Sequence, residues 1–159
     1  MNPDARFLFA HPAHFIALGF GTGLSPWAPG TFGTLAALPL YWLLLQAGLQ
    51  LPVLLAAIAA GFALGIWACA VAGKNLGAAD HGGIVWDEIV AMWLVLAFAP
   101  ATWLWWLAAF GFFRFFDILK PWPIRFFDTR LKNGFGVMFD DLLAALYALL
   151  IIKGWQWLA

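Results

Sequence analysis

Seven of the eight carboxylates in the chain fall within one stretch, at Asp80, Asp87, Glu88, Asp117, Asp128, Asp140 and Asp141, while Asp4 stands apart. Four of them form adjacent pairs, Asp87 with Glu88 in DHGGIVWDEIVAMW (80–93) and Asp140 with Asp141 in GFGVMFDDLLAALYA (134–148). Neighbours on a helix point about 100° apart, so such a pair cannot chelate an ion alone but can supply one ligand and one supporting or base group. Two ionised carboxylates side by side repel unless a cation neutralises them or one takes up a proton. An oxygen-rich, thiol-poor set suits a hard ion such as Mg²⁺, which commonly takes one or two carboxylates plus substrate phosphate. The structural alternative is capping, for which one acid in a first helical turn is enough.

Groups suited to a phosphate lie in two other segments. In FRFFDILKPWPIRFFDTRLKNG (113–134), Arg114 and Asp117 share a helical face, and Pro121 and Pro123 stiffen the exit so that Lys120 and Arg125 project outward. These cations suit either anionic lipid, at about 1 kcal/mol each, or one specific phosphate. GFGTGLSPWAPGTFGT (19–34) offers backbone amides at a helix start and the hydroxyls of Ser25, Thr31 and Thr34, but lacks the lysine of a nucleotide-binding loop. Spacing alone favours reading it as a tight turn that lets an apolar helix pack through small residues. His11 and His14 read as interfacial polar residues, and His81 is the only histidine beside the acids. Cys69, the single cysteine, sits in LGIWACAVA and reads as packing.

The elements that must position these groups are apolar. The 159 residues are 65% hydrophobic and 10% charged, with mean hydropathy +0.89, whereas a soluble domain is roughly half apolar and about a quarter charged. Lipid must solvate much of this surface. Zero formal net charge removes the broad attraction that a nucleic-acid binder needs. Apolar runs at 34–46, 52–72, 84–99, 101–116 and 137–152 predict five helices, several of them shorter than the roughly 20 residues of a full crossing. Short spans are accommodated by small tilt or a thinned bilayer. Arg6, Lys74, Arg114, Lys120, Arg125, Arg130 and Lys132 fall on one side if the chain turns at Pro100, Ala101 and Thr102, and that side should be cytoplasmic. Lys153 is the exception on the outer side, and Trp103, Trp105, Trp106, Trp155 and Trp157 read as interface belts. The expectation is an all-α, polytopic membrane helical bundle of about five hydrophobic helices plus a short N-terminal interfacial helix. It forms one domain over 1–159, with no removable signal peptide and no oligomeric state assigned.

Together, GFGTGLSPWAPGTFGTLAALP, DHGGIVWDEIVAMW, FRFFDILKPWPIRFFD and GFGVMFDDLLAALYA resemble bacterial phosphatidylglycerophosphatase A in order and spacing. Ala91 stands where that pattern often has glycine, a difference expected to touch helix packing only. The resemblance implies a Mg²⁺-dependent phosphatase that converts phosphatidylglycerophosphate, an anionic phospholipid, to phosphatidylglycerol at the bacterial inner membrane, with its active site on the cytoplasmic side. In that setting Asp87, Glu88, Asp140 and Asp141 are the candidate metal ligands. Arg114, Lys120 and Arg125, with Thr31 and Thr34, are the candidate phosphate-binding residues. Asp80 and His81 are placed to move protons, and Asp87 and Asp117 are further catalytic candidates. Direct attack by water and an aspartyl-phosphate route both stay open.

Other phosphatase chemistries fit poorly. Asn75 rather than arginine lies six places after Cys69, and there is no Asp-x-Asp-x-Thr run. The Asp-Gly-x-x-Ala-Arg run of the CDP-alcohol phosphotransferases is also absent. The non-enzymatic alternative is a small membrane ion transporter or Mg-binding channel. An ion path needs polar sites at the bilayer midplane, and the middles of these runs carry no charge.

Overall fold

The computed structural model describes residues 2–158, and all regular structure among them is helical. In chain order the helices are α1 (Ala5–Ala10), α2 (Pro12–Ala17), α3 (Pro29–Gln46), α4 (Leu51–Leu76), α5 (Trp86–Phe98), α6 (Trp103–Leu119), α7 (Ile124–Arg130) and α8 (Gly134–Leu158), with a 3₁₀ segment at Gly19–Leu24. Each of the five apolar runs is a helix. The single short N-terminal helix is instead two, because His11 is extended and Pro12 can only begin a new helix. The turn at Pro100 forms as expected: Ala99 before it is extended and ends α5, and Thr102 precedes α6.

Length narrows the reading of five spans. Among the described residues two helices, α4 and α8, are long and apolar enough to cross a membrane. The thirteen residues of α5 reach only about 20 Å, against about 30 Å of hydrocarbon. Proline at the α5 exit, and Arg114 and Asp117 within α6, shorten the apolar stretches there.

The short α5 is the hub, packed against α3, α4, α6 and α8. Its residues are buried on nearly every side, Ala91 among them, with Ile89, Met92 and Val95 wholly enclosed. Two indoles fix it to its neighbours: Trp86 Nε1 donates to the Gly61 carbonyl of α4 (2.9 Å), and Trp93 Nε1 donates to the Ala37 carbonyl of α3 (3.1 Å). The Val85 amide donates to Ala17 O at 2.9 Å, tying the start of α5 to the end of α2.

Polarity divides by end. The C-terminal end of α6, the first turn of α5 and the N-terminal part of α8 around Asp140 lie together, while Trp103, Trp155 and Trp157 are exposed at the opposite end of α6 and α8. Trp105 meets Trp155 there at 6.2 Å between ring centres. Trp106 departs from the belt reading, since it is half-buried and packs edge-on against Tyr41.

The start of α8 lies against α4 so closely that a methyl group at Gly134 would sit 2.1 Å from the Ile66 carbonyl oxygen. Backbone cannot yield as a side-chain tip can, so Gly134→Ala should cost about 1–3 kcal/mol. Thermal unfolding in detergent measures this, and an unchanged midpoint would show that the α4–α8 contact is slack.

Candidate active site

Residues from four elements close on one cleft of about 390 Å³. The start of α3 contributes Ala28, Pro29 and Gly30; the loop before α5 contributes Asp80, Gly82 and Ile84; and the first turn of α5 contributes Asp87 and Glu88. From the end of α6 and its exit come Arg114, Asp117, Ile118 and Lys120, and α8 contributes Asp140 and Asp141. Six carboxylates and two cations therefore line the cleft, a formal charge of −4. All but Asp80 and Glu88 among these carboxylates are less than a tenth exposed, and the Glu88 side chain is 12% exposed.

The cations take fixed partners. Arg114 Nη1 bridges Glu88 Oε1, at 3.2 Å, and Asp117 Oδ2. Lys120 Nζ lies 2.5 Å from Asp140 Oδ2 and 2.9 Å from Asp128 Oδ1, and Lys132 Nζ stands 3.6 Å behind Asp128. Asp87, Glu88 and Asp141 each offer a ligand oxygen, and these all lie within 4.8 Å of one another. Asp87 Oδ1, Glu88 Oε2, Asp140 Oδ1 and Asp141 Oδ2 are buried without a hydrogen-bond partner. Buried unpaired carboxylate oxygens are costly, and four together call for a cation or protons.

With the geometry set out, comparison with known proteins is informative. The family model described as Phosphatidylglycerophosphatase A matches residues 15–156. The chain belongs to the phosphatidylglycerophosphatase A family. A Haemophilus influenzae protein named Phosphatidylglycerophosphatase A is 48% identical over 157 residues, covering 98% of this chain and 96% of its own length. The Escherichia coli protein of the same name is 41% identical over 156 residues, covering 96% and 90%. A Bacteroides thetaiotaomicron relative, provisionally named a phosphatidylinositol-3-phosphatase, is 40% identical over 149 residues, covering 89% and 92%. No solved structure matches the chain.

In this phosphatidylglycerophosphatase A family member, Asp80, Asp87, Glu88, Arg114, Asp117, Lys120, Asp140 and Asp141 all reach the cleft as the residue types suggested. Of the four candidate ligands, Asp140 is drawn to Lys120 and stands outside the group of three. Thr31, Thr34, His81 and Arg125 do not line the cleft. Thr34 is wholly buried and its hydroxyl donates to Gly30 O within α3 (2.8 Å). His81 Nδ1 accepts from the Gly83 amide (3.0 Å), and Arg125 is exposed on α7.

Two contributors were not among the residues singled out by type. Gly30 faces Glu88 so closely that a methyl group there would lie 2.1 Å from Oε1, so its missing side chain is what admits the start of α3 to the cleft. Its place in a glycine-rich segment before an apolar helix was the available signal. Asp128 pairs with Lys120 from α7, eight residues on and beyond a turn, a contact that no helical spacing announces.

Lys120 holds a left-handed backbone (φ 43), which costs a non-glycine residue about 1 kcal/mol or more and is offset by its two carboxylate partners. Burial lowers the Lys120 pKa, but the charge of Asp140 and the hydrogen bonds to Asp140 and Asp128 outweigh it and hold the ammonium well above the ordinary lysine value. Burial raises Asp128, and Lys120, with Lys132 behind it, overcomes this and leaves the carboxyl below its usual value.

A depressed carboxyl pKa stabilises the fold above the unfolded value, near about 4, and that contribution disappears as pH falls through the lower folded value. Asp128→Asn should therefore cost about 0.5–1 kcal/mol at neutral pH, with the gap to the parent protein closing on acidification below about pH 4. Paired thermal melts in detergent across that range test this. A gap independent of pH would remove the Lys120–Asp128 pair from the account.

Proposed function

We propose that the chain is a membrane-embedded phosphatase that hydrolyses phosphatidylglycerophosphate to phosphatidylglycerol and inorganic phosphate, with Mg²⁺ held by Asp87, Glu88 and Asp141. The carrying observation is that Asp87, Glu88 and Asp141, each with a buried unpartnered oxygen, offer ligand atoms within 4.8 Å of one another in a cleft that also presents Arg114 and Lys120. Names of the relatives supply the lipid headgroup. At a formal charge of −4 the cleft repels a phosphate monoester, and a bound cation makes the two compatible. Mg²⁺ bound there supplies Lewis-acid polarisation of a phosphoryl oxygen.

The remaining work falls to the chain. Arg114, whose Nε is buried without a partner, and Lys120 neutralise the phosphate. The start of α3, at Ala28, Pro29 and Gly30, lines the same mouth, and the positive end of its helix dipole favours an anion there. In the net reaction a water oxygen bonds to phosphorus, the phosphorus–oxygen bond to glycerol breaks, and the leaving oxygen ends protonated. Asp80, exposed at the rim, carries protons between the site and bulk water. Asp117 and Asp140 act by positioning Arg114 and Lys120.

In this reading α4 and α8 cross the bacterial inner membrane in full, and α3 and α6 complete the bundle with the short α5 at its centre. Exposed Leu35, Trp42, Leu104 and Leu107 on α3 and α6 suit a lipid-facing surface. The cleft lies at the end that carries Lys74, Lys120, Arg125 and Arg130, which is the cytoplasmic side by the charge rule. An ion transporter or channel is disfavoured, because no Asp, Glu, Lys, Arg or His interrupts 51–73, 89–98, 103–113 or 142–152.

Phosphate release from phosphatidylglycerophosphate by the detergent-purified protein, with Mg²⁺ and with chelator, tests the proposal. Release should require the ion, and Asp87→Asn and Asp141→Asn should each lose about 100-fold or more in turnover while staying folded. A folded parent protein that releases no phosphate with any divalent metal would overturn the reading, and ion flux in liposomes would then be measured.

A further inference from the structure

A second hollow, of about 330 Å³, opens on the flank of the bundle between α4, α5 and α8. Leu55 and Phe62 of α4, Val90 and Leu94 of α5, and Leu142 of α8 form its walls. Its one charged lining residue is Asp87, which also lines the acidic cleft, so the two hollows meet at a single side chain. Asp87 is only 6% exposed and its Oδ1 has no partner. From Asp87 the groove follows α5 for seven residues, about 10 Å, toward Leu94. At roughly 30 Å³ for each water-sized group, the space matches about ten such groups in a row.

The lining chemistry selects the occupant. Apart from Asp87 the groove offers no side-chain donor or acceptor, so a peptide laid in it would leave its amides unsatisfied, at several kcal/mol each. A hydrocarbon chain needs no such partner. A lipid phosphate held in the acidic cleft must send its acyl chains away within the length of a glycerol, and the groove is the apolar surface that adjoins the cleft at Asp87.

We infer that this flank groove seats one acyl chain of the substrate lipid, from Asp87 toward Leu94, and so makes the enzyme selective for long-chain lipid phosphates over short-chain ones. The inference rests on the phosphatase reading above.

Ala59 provides the handle, since it lines the groove yet is exposed and can be enlarged without disturbing the core, whereas its exposed neighbour Ala60 does not line it. Phosphate release would be followed on long-chain and on dihexanoyl phosphatidylglycerophosphate. Ala59→Phe should shift the ratio of the two kcat/KM values about tenfold toward the short-chain lipid, equivalent to about 1.4 kcal/mol, and Ala60→Phe should leave it at the parent value. An unshifted ratio in Ala59→Phe, or the same shift in Ala60→Phe, would overturn the inference.

Photolabelling gives a readout that needs no turnover. A phosphatidylglycerophosphate with a diazirine in one acyl chain should label 55–62 and 90–94, and the same lipid with a choline headgroup should not concentrate there. Equal labelling by both lipids would mean ordinary bilayer contact and would overturn the inference. A parent protein that releases phosphate from neither lipid would sink the phosphatase reading instead, with photolabelling still deciding the groove.

Discussion

Burying ionised carboxylates in an apolar bundle costs several kcal/mol per ion unless each is paired, and six line one cleft here with only two cations among them. Arg114 and Lys120 each bridge two acids, which accounts for Glu88, Asp117, Asp140 and Asp128. Those bridges still leave one buried oxygen without a partner on each of Asp87, Glu88, Asp140 and Asp141. A cation or protons can meet that demand, and the surrounding helices hold the repelling groups in place.

Helix ends perform that holding. Asp87 and Glu88 occupy the first turn of α5, where the helix dipole favours negative charge, whereas Asp140 and Asp141 lie about two turns into α8. Arg114 and Asp117 occupy the last two turns of α6. Peptide dipoles therefore partly offset desolvation at Asp87 and Glu88, and Asp117 and Asp140 rely on Arg114 and Lys120 instead. The long apolar bodies of these helices then run away from the cleft. Trp86 and Trp93 hold α5 against α4 and α3 through backbone carbonyls, so the short central helix cannot slide along its axis.

This arrangement also explains why so much apolar surface stays exposed on a folded chain. Trp27 and Trp122 are each 79% exposed near the cleft mouth, and Trp103 and Trp157 are 73% and 86% exposed at the far end. Indoles at both ends of an apolar body match the two interfaces of a bilayer. The roughly 37 Å of the 25-residue α8 is sufficient to join them.

Much of this was legible in the residues themselves. Mean hydropathy, the placement of every basic loop and the proline at position 100 were enough to give an all-helical chain with its acids at one end, because these follow from local composition and backbone chemistry. The family followed from four ordered motifs that together span most of the chain. The division of labour among the carboxylates was not legible, since Asp140 and Asp141 are chemically alike in sequence. Packing turns Asp140 toward Lys120 and leaves Asp141 facing Asp87 and Glu88. The removal of Thr34 from the cleft and the admission of Gly30 were decided in the same way, by which face of α3 meets α5 and the Glu88–Arg114 pair. Local sequence determines which residues can ionise and which segments become helices. Only tertiary contact decides which oxygen finds a cation and which is left bare, because that depends on helices far apart in the chain.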